Sequence, residues 1–141
     1  MDEPGSGFAF LEHTADVGIR AWGPSVRAAF EQAGRGLATL IGATAPPPGR
    51  AVAIHVEAHD REALLVRFLD ELVFVFETHD GEGLASLVVP RLSATSCDAV
   101  VRLAPMAVPL EGLLVKAATY HQLSIAEGPD GTAEAQIYLD V

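Results

Sequence analysis

Apolar residues recur every three or four positions in two stretches of the chain, and this spacing predicts two helices. The first, residues 25–41, begins at Ser25, a residue type that commonly caps a helix N-terminus. Gly34 and Gly36 weaken this helix by about 1 kcal/mol each relative to Ala, so tertiary packing must hold it. The second, residues 60–78, has the more regular apolar stripe, formed by Leu65, Phe68, Leu69, Leu72, Val73 and Phe76.

Most of the remaining chain alternates apolar and polar residues, which predicts strands. The predicted strands are 17–22, 51–57, 84–89, 99–103, 116–125 and 133–139. The glycine- and proline-containing turn at 127–131 favours a final antiparallel hairpin. This pattern indicates an α+β fold, with a mostly antiparallel sheet and two helices on one face. Composition does not change along the chain, so we interpret residues 1–141 as a single domain with a flexible N-terminus at 1–7.

Acidic residues outnumber basic ones by nineteen to nine, which gives a formal net charge of −10. A protein that grips RNA through its phosphates needs the opposite charge, so we expect no direct binding to nucleic acid. The excess of acid instead favours a basic protein partner or a cation. Neither a signal peptide nor a membrane-spanning segment of roughly 20 apolar residues is evident. With a single cysteine as well, these features predict a cytoplasmic protein.

The usual catalytic motifs are missing from the sequence. It contains no phosphate-binding loop, no dinucleotide fingerprint and no GxSxG nucleophile. His55 and His59 lie between a predicted strand and a predicted helix, which does not favour a zinc site. Cys97 is followed by Asp98, whose charge should raise the pKa of the thiol, so we interpret Cys97 as structural. The chain is therefore not expected to be an enzyme.

Carboxylates at the ends of two predicted strands are the main candidates for chemistry. Asp16 lies at the start of one strand, and Asp140 and the Val141 carboxylate lie at the end of another. If these strands are antiparallel neighbours, three hard oxygen groups converge, and such a set suits Ca²⁺, Mg²⁺ or Mn²⁺. Composition alone favours a plainer interpretation, in which Asp16 is a turn residue and Asp140 is solvated. His13 and Lys116 are, on the same basis, structural residues.

Three segments of the chain resemble, in the same order, segments of a known family. Residues 10–23 are FLEHTADVGIRAWG, residues 115–124 are VKAATYHQLS, and the last five residues are IYLDV. Together they resemble archeases over essentially the whole chain. Each segment alone would be weak evidence for the family. The combination of HTAD, KA-x-TYH and a terminal Asp-aliphatic pair is specific to it.

The resemblance implies a compact α+β fold, an elaborated strand-helix-strand-strand module, and a divalent cation bound by the HTAD aspartate and the C-terminal residues. It places the metal ligands at Asp16, Asp140 and the carboxylate of Val141, with supporting roles for His13 and Lys116. It further implies a protein cofactor that helps an RtcB-type RNA ligase to become guanylylated and to turn over repeatedly, in tRNA splicing or RNA repair.

Two other functions stay open from the sequence. One is a chaperone-like modulator of an RNA-modifying enzyme such as a tRNA methyltransferase. The other is a metal-dependent hydrolase built on His13 and Asp16, which ranks last because the sequence supplies no clear second base.

Overall fold

The structure is a computed structural model that describes residues 4–12, 16–107, 112 and 114–141. Within these residues the chain forms two helices and eight strands. In chain order they are β1 (Gly7–Glu12), β2 (Asp16–Gly23), α1 (Val26–Ile41), β3 (Arg50–Glu57), α2 (Arg61–Thr78), β4 (Glu82–Leu92), β5 (Ser96–Pro105), β6 (Ala117–Ala118), β7 (Ser124–Glu127) and β8 (Ala133–Asp140).

The strands divide into two antiparallel sheets. In the larger sheet the order is β1-β2-β8-β6, and β7 also pairs with β8. In the smaller sheet β5 lies between β3 and β4. The final hairpin expected from the sequence is present as β7-β8, and β4 and β5 form a second one. The α+β class and the antiparallel pairing are therefore confirmed, and the division into two sheets is an addition that the sequence did not predict.

Both predicted helices are confirmed, and so is the N-cap predicted at Ser25; the structure adds Asp60 as the N-cap of α2. The Ser25 hydroxyl accepts a hydrogen bond from the Ala28 N–H at 3.1 Å, and the Asp60 carboxylate accepts one from the Ala63 N–H at 2.8 Å. Gly42 ends α1 in the left-handed conformation, with a φ of 83°, which glycine adopts at low cost. These local signals fix the helix ends independently of the tertiary fold.

The helices pack on each other and on both sheets, and this contact forms the core. The rings of Phe30 in α1 and Phe68 in α2 lie 5.8 Å apart, and both side chains are fully buried. Gly34 allows α1 to approach β4 closely, since a Cβ added there would lie 2.4 Å from a methyl carbon of Leu87. Packing therefore explains a glycine that helix propensity alone disfavours.

A line of polar side chains on α1 covers one edge of β4. The carboxylate of Glu31, which is only 7% exposed, accepts a hydrogen bond from the Val89 N–H at 2.7 Å. Arg27 and Arg35, one turn to either side, donate to the carbonyls of Val89 and Leu87 at 3.4 and 3.1 Å. We name Arg27, Glu31 and Arg35 the α1 polar ladder. It supplies partners for β4 backbone groups beside the register shift between Val88 and Arg91.

Two parts of the chain differ from the sequence prediction. Gly7–Glu12 forms β1, which was not predicted, and Gly7 belongs to it rather than to a flexible N-terminus. The strand predicted at 116–125 is two short strands, β6 and β7, because the chain turns between them with Gln122 at a positive φ of 51°. Of the helices that the structure describes, neither combines the length and apolar character needed to cross a membrane.

Candidate metal centre

The larger sheet brings together the two carboxylates singled out in the sequence. Strands β2 and β8 are antiparallel neighbours, and Asp16 is directly opposite Asp140 in their register. On the other side of β8, Ala117 of β6 is also opposite Asp140, and the Lys116 N–H donates to the Asp140 carbonyl at 2.8 Å. The condition that the sequence left open, that these two strands are neighbours, is met.

Directly opposed residues of an antiparallel pair have side chains on the same face, with Cβ atoms roughly 4.5–5.5 Å apart. Asp16 is partly buried, Asp140 is exposed and Val141 is 37% exposed. Two like charges in this arrangement destabilise the sheet unless something neutralises them. Carboxylates are hard oxygen donors, so the residues present fit a Ca²⁺, Mg²⁺ or Mn²⁺ ion.

The segment that begins at Lys116 is held against β8 by several hydrogen bonds. Both the N–H and the hydroxyl of Thr119 donate to the Tyr138 carbonyl, at 3.0 and 2.9 Å. The Asp70 carboxylate of α2 accepts from the Ala118 N–H at 2.7 Å. Asp70 thus ties α2 to this edge of the site. Sequence analysis did not identify it, and its only signal was a polar position on a helix.

Tyr138 lies next to the carboxylate pair. It is opposite Gly18, one step along the same face of the sheet from Asp16 and Asp140. A Cβ on Gly18 would lie 2.8 Å from the Tyr138 ring, so the ring packs over the glycine, and Tyr138 is only 6% exposed. The Tyr138 ring therefore borders the carboxylate pair on one side.

The other residues that the sequence places at this site are His13, Lys116 and Val141. His13 lies outside the described residues. Lys116 is exposed and joins the site through its backbone. In the described ranges no three His, Cys, Asp or Glu side chains form a group able to hold a metal ion. The candidate centre accordingly has two side-chain carboxylates, and its third oxygen group would be the carboxylate of Val141.

Cys97 behaves as the sequence predicts. The side chain is fully buried in the core, and burial, together with the charge of Asp98, raises the pKa of its thiol to about 12. At neutral pH the thiol stays protonated and unreactive.

A second ionisable cluster lies on the outer face of the smaller sheet. The two ring nitrogens of His55 are 2.7 Å from a Glu57 oxygen and 2.5 Å from an Asp98 oxygen. These two hydrogen bonds, Glu57 first and Asp98 second, raise the pKa of His55. All three side chains are substantially exposed, and His59 pairs with Asp60 instead, so the two histidines do not form a site.

We expect a titration of the protein to detect the raised pKa of His55 directly. In an NMR titration the His55 imidazole should have a raised pKa, and Glu57→Gln or Asp98→Asn should lower it. Because the folded-state pKa is raised, the contribution of His55 to stability is full below its unfolded pKa and is lost as pH rises through the folded value. An imidazole that titrates identically in wild type and both variants would refute the assignment.

Residues 8–141 match the Archease protein family (MTH1598/TM1083). The chain belongs to the archease family. It is 36% identical to the protein archease of Thermococcus gammatolerans, over 92% of this chain and 95% of that one. It is also 30% identical to the archease-like protein of Drosophila melanogaster, over 95% of this chain and 90% of that one.

Two solved structures share the archease fold. The solution structure of protein 1598 from Methanobacterium thermoautotrophicum covers 96% of this chain and 99% of its own, with a TM-score of 0.69 and 26% identity. The crystal structure of a Thermotoga maritima archease, described as a possible chaperone, covers 100% of this chain and 98% of its own, with a TM-score of 0.64 and 18% identity. The sequence-based assignment to archeases is confirmed.

Proposed function

We propose that this archease is a metal-binding protein cofactor that activates an RtcB-type RNA ligase in the cytoplasm, in tRNA splicing or RNA repair. It would promote guanylylation of the ligase and repeated turnover without catalysing the ligation itself. The observation that carries the proposal is the placement of Asp16 opposite Asp140 in a member of this family. The net charge of −10 supports a basic protein partner over direct contact with RNA.

In this proposal Asp16, Asp140 and the carboxylate of Val141 hold a divalent cation, Ca²⁺, Mg²⁺ or Mn²⁺. When bound, such an ion would supply the positive charge that stabilises negatively charged phosphate oxygens in reactions of nucleotides. The chain's own residues hold the carboxylates in position. Asp140 is fixed between β2 and β6 by the sheet register, and the Asp70 carboxylate secures β6 from α2. His13 and Lys116 have supporting roles, and Lys116 supports the site through its N–H to the Asp140 carbonyl.

A chaperone-like role for an RNA-modifying enzyme is the second candidate. It is favoured by the description of the Thermotoga maritima protein as a possible chaperone. This role needs a binding surface but no cation, so the paired carboxylates would not contribute to it.

The test is RNA joining by the cognate ligase under multiple-turnover conditions, with GTP and a divalent metal, in the presence and absence of this protein. We expect many more rounds of joining per ligase with the protein than without it. No acceleration by the folded, metal-loaded protein would refute the activator function and leave the chaperone role. Phosphoester hydrolysis by the purified protein alone would instead support a hydrolase.

A further inference from the structure

Two large apolar side chains are exposed, one on α2 and one in the segment before β6. Phe74 of α2 is 56% exposed, and Leu114, in the segment before β6, is 77% exposed. Leu114, but not Phe74, lines a cavity of about 60 Å³ that is almost entirely apolar, together with Ile41 and Val73. Exposed apolar patches commonly mark interaction surfaces.

Hydrogen bonding and the lining of the cavity place α2 beside residues 114–118. Asp70, one turn before Phe74, accepts from the Ala118 N–H, and Glu77, one turn after it, lines the cavity together with Leu114. This face of α2 therefore runs along residues 114–118 in the opposite direction. Phe74 lies between Asp70 and Glu77 along the helix.

Acidic side chains surround the exposed ring. On a helix the nearest surface neighbours of a residue are three and four positions away. For Phe74 these include Asp70, Glu71 and Glu77. Such a frame repels RNA phosphates and anionic lipid headgroups, and it attracts a protein surface rich in Lys and Arg. The charge therefore selects a basic protein as the occupant.

We propose that Phe74 and Leu114 anchor this chain to the RNA ligase, by entering an apolar pocket that Lys and Arg side chains of the ligase surround. This inference rests on the proposed function, because it takes the ligase as the partner. An apolar anchor inside a charged rim is the arrangement in which a few residues carry most of the binding free energy.

The test measures the Kd of the purified ligase for wild-type protein, Phe74→Ser, Leu114→Ser and a control, Val88→Ser, by calorimetry. Val88 is also an exposed apolar residue, 49% accessible, but it lies on the smaller sheet. We expect each anchor variant to raise the Kd about tenfold or more and Val88→Ser to leave it unchanged. Glu77→Lys should weaken binding and reduce its dependence on salt.

A second readout does not depend on the stability of the variants. Benzoylphenylalanine in place of Phe74 should crosslink to the ligase under ultraviolet light, and the same group in place of Val88 should not. At saturating concentration, Phe74→Ser should still activate the ligase, because it leaves the carboxylates in place.

The outcomes separate the two proposals. If wild type binds and activates the ligase while the anchor variants bind equally well and position 74 does not crosslink, the docking surface is wrong and the activator function stands. If wild type binds through Phe74 without accelerating ligation, the docking surface is supported and the activator function fails. If wild type neither binds nor activates the ligase, both are refuted.

Discussion

Ligase activation should be lost in Asp16→Ala, while the variant folds like the wild type. Asp16 supplies one of the two opposed carboxylates, so its removal takes away half of the side-chain oxygen ligands of the proposed ion. The measurement is multiple-turnover RNA joining, which should fall to the rate of the ligase alone. Asp140→Ala should behave in the same way, since the two residues act on one ion.

A matched control is Glu134→Ala. Glu134 is an exposed carboxylate on the same face of β8, at the other end of the strand, where it pairs with Arg20 at 2.8 Å. Its replacement should cost at most about 1 kcal/mol of stability, as for other surface ion pairs, and leave activation unchanged. Wild-type turnover in the presence of Asp16→Ala would remove this residue from the proposed mechanism.

Metal titration gives an independent check on the same residue. Adding Ca²⁺ or Mn²⁺ at about 100 times its Kd should stabilise the wild type by about 2.7 kcal/mol, because the ion binds only the folded chain. Asp16→Ala should show almost none of this stabilisation. With a chelator present, the variant should match or slightly exceed the wild type, since opposed like charges cost about 0.2–1 kcal/mol.

The second large effect is expected at the α1 polar ladder. Glu31→Ala removes the acceptor of the Val89 N–H and leaves that donor without its partner on α1. An orphaned buried donor costs about 1–3 kcal/mol. Urea unfolding at neutral pH should therefore show a loss of this size. Glu31→Gln should recover part of it, because its amide oxygen still accepts a hydrogen bond.

Glu77→Ala is the control for Glu31, because it makes the same substitution at an exposed position of the other helix. It should change the free energy of unfolding by no more than about 0.5 kcal/mol. Equal losses in the two variants would mean that the contact between Glu31 and Val89 does not stabilise the fold.

The sequence predicts those features that depend on neighbours along the chain. The apolar stripe of α2 and the cap at Ser25 are local, and both are confirmed. The break between β6 and β7 was missed, because residues 116–125 contain no glycine or proline to mark the turn at Gln122. Strand β1 was missed as well, since pairing with β2, rather than its own pattern, defines it.

For the candidate site, the sequence supplied the residues and the structure supplied their pairing. Asp16 and Asp140 are opposed only because β2 and β8 are neighbours in register, and no short-range pattern specifies a contact between residues so far apart. Asp70 is beyond sequence reasoning for the same reason, since its partner, the Ala118 N–H, comes from a distant segment. Phe74 did carry a signal, an aromatic residue among the charged positions of a helix surface.

The central position of β8 in the larger sheet sets the order in which the chain can fold during synthesis. β2 leaves the ribosome before its register partners, residues 133–140, which follow both helices and the smaller sheet in sequence. The smaller sheet and both helices lie between them in sequence, so these elements can collapse first while one edge of β2 has no strand beside it. Closing so long a loop is slow, and pairing of β8 therefore completes the fold only after translation has passed it.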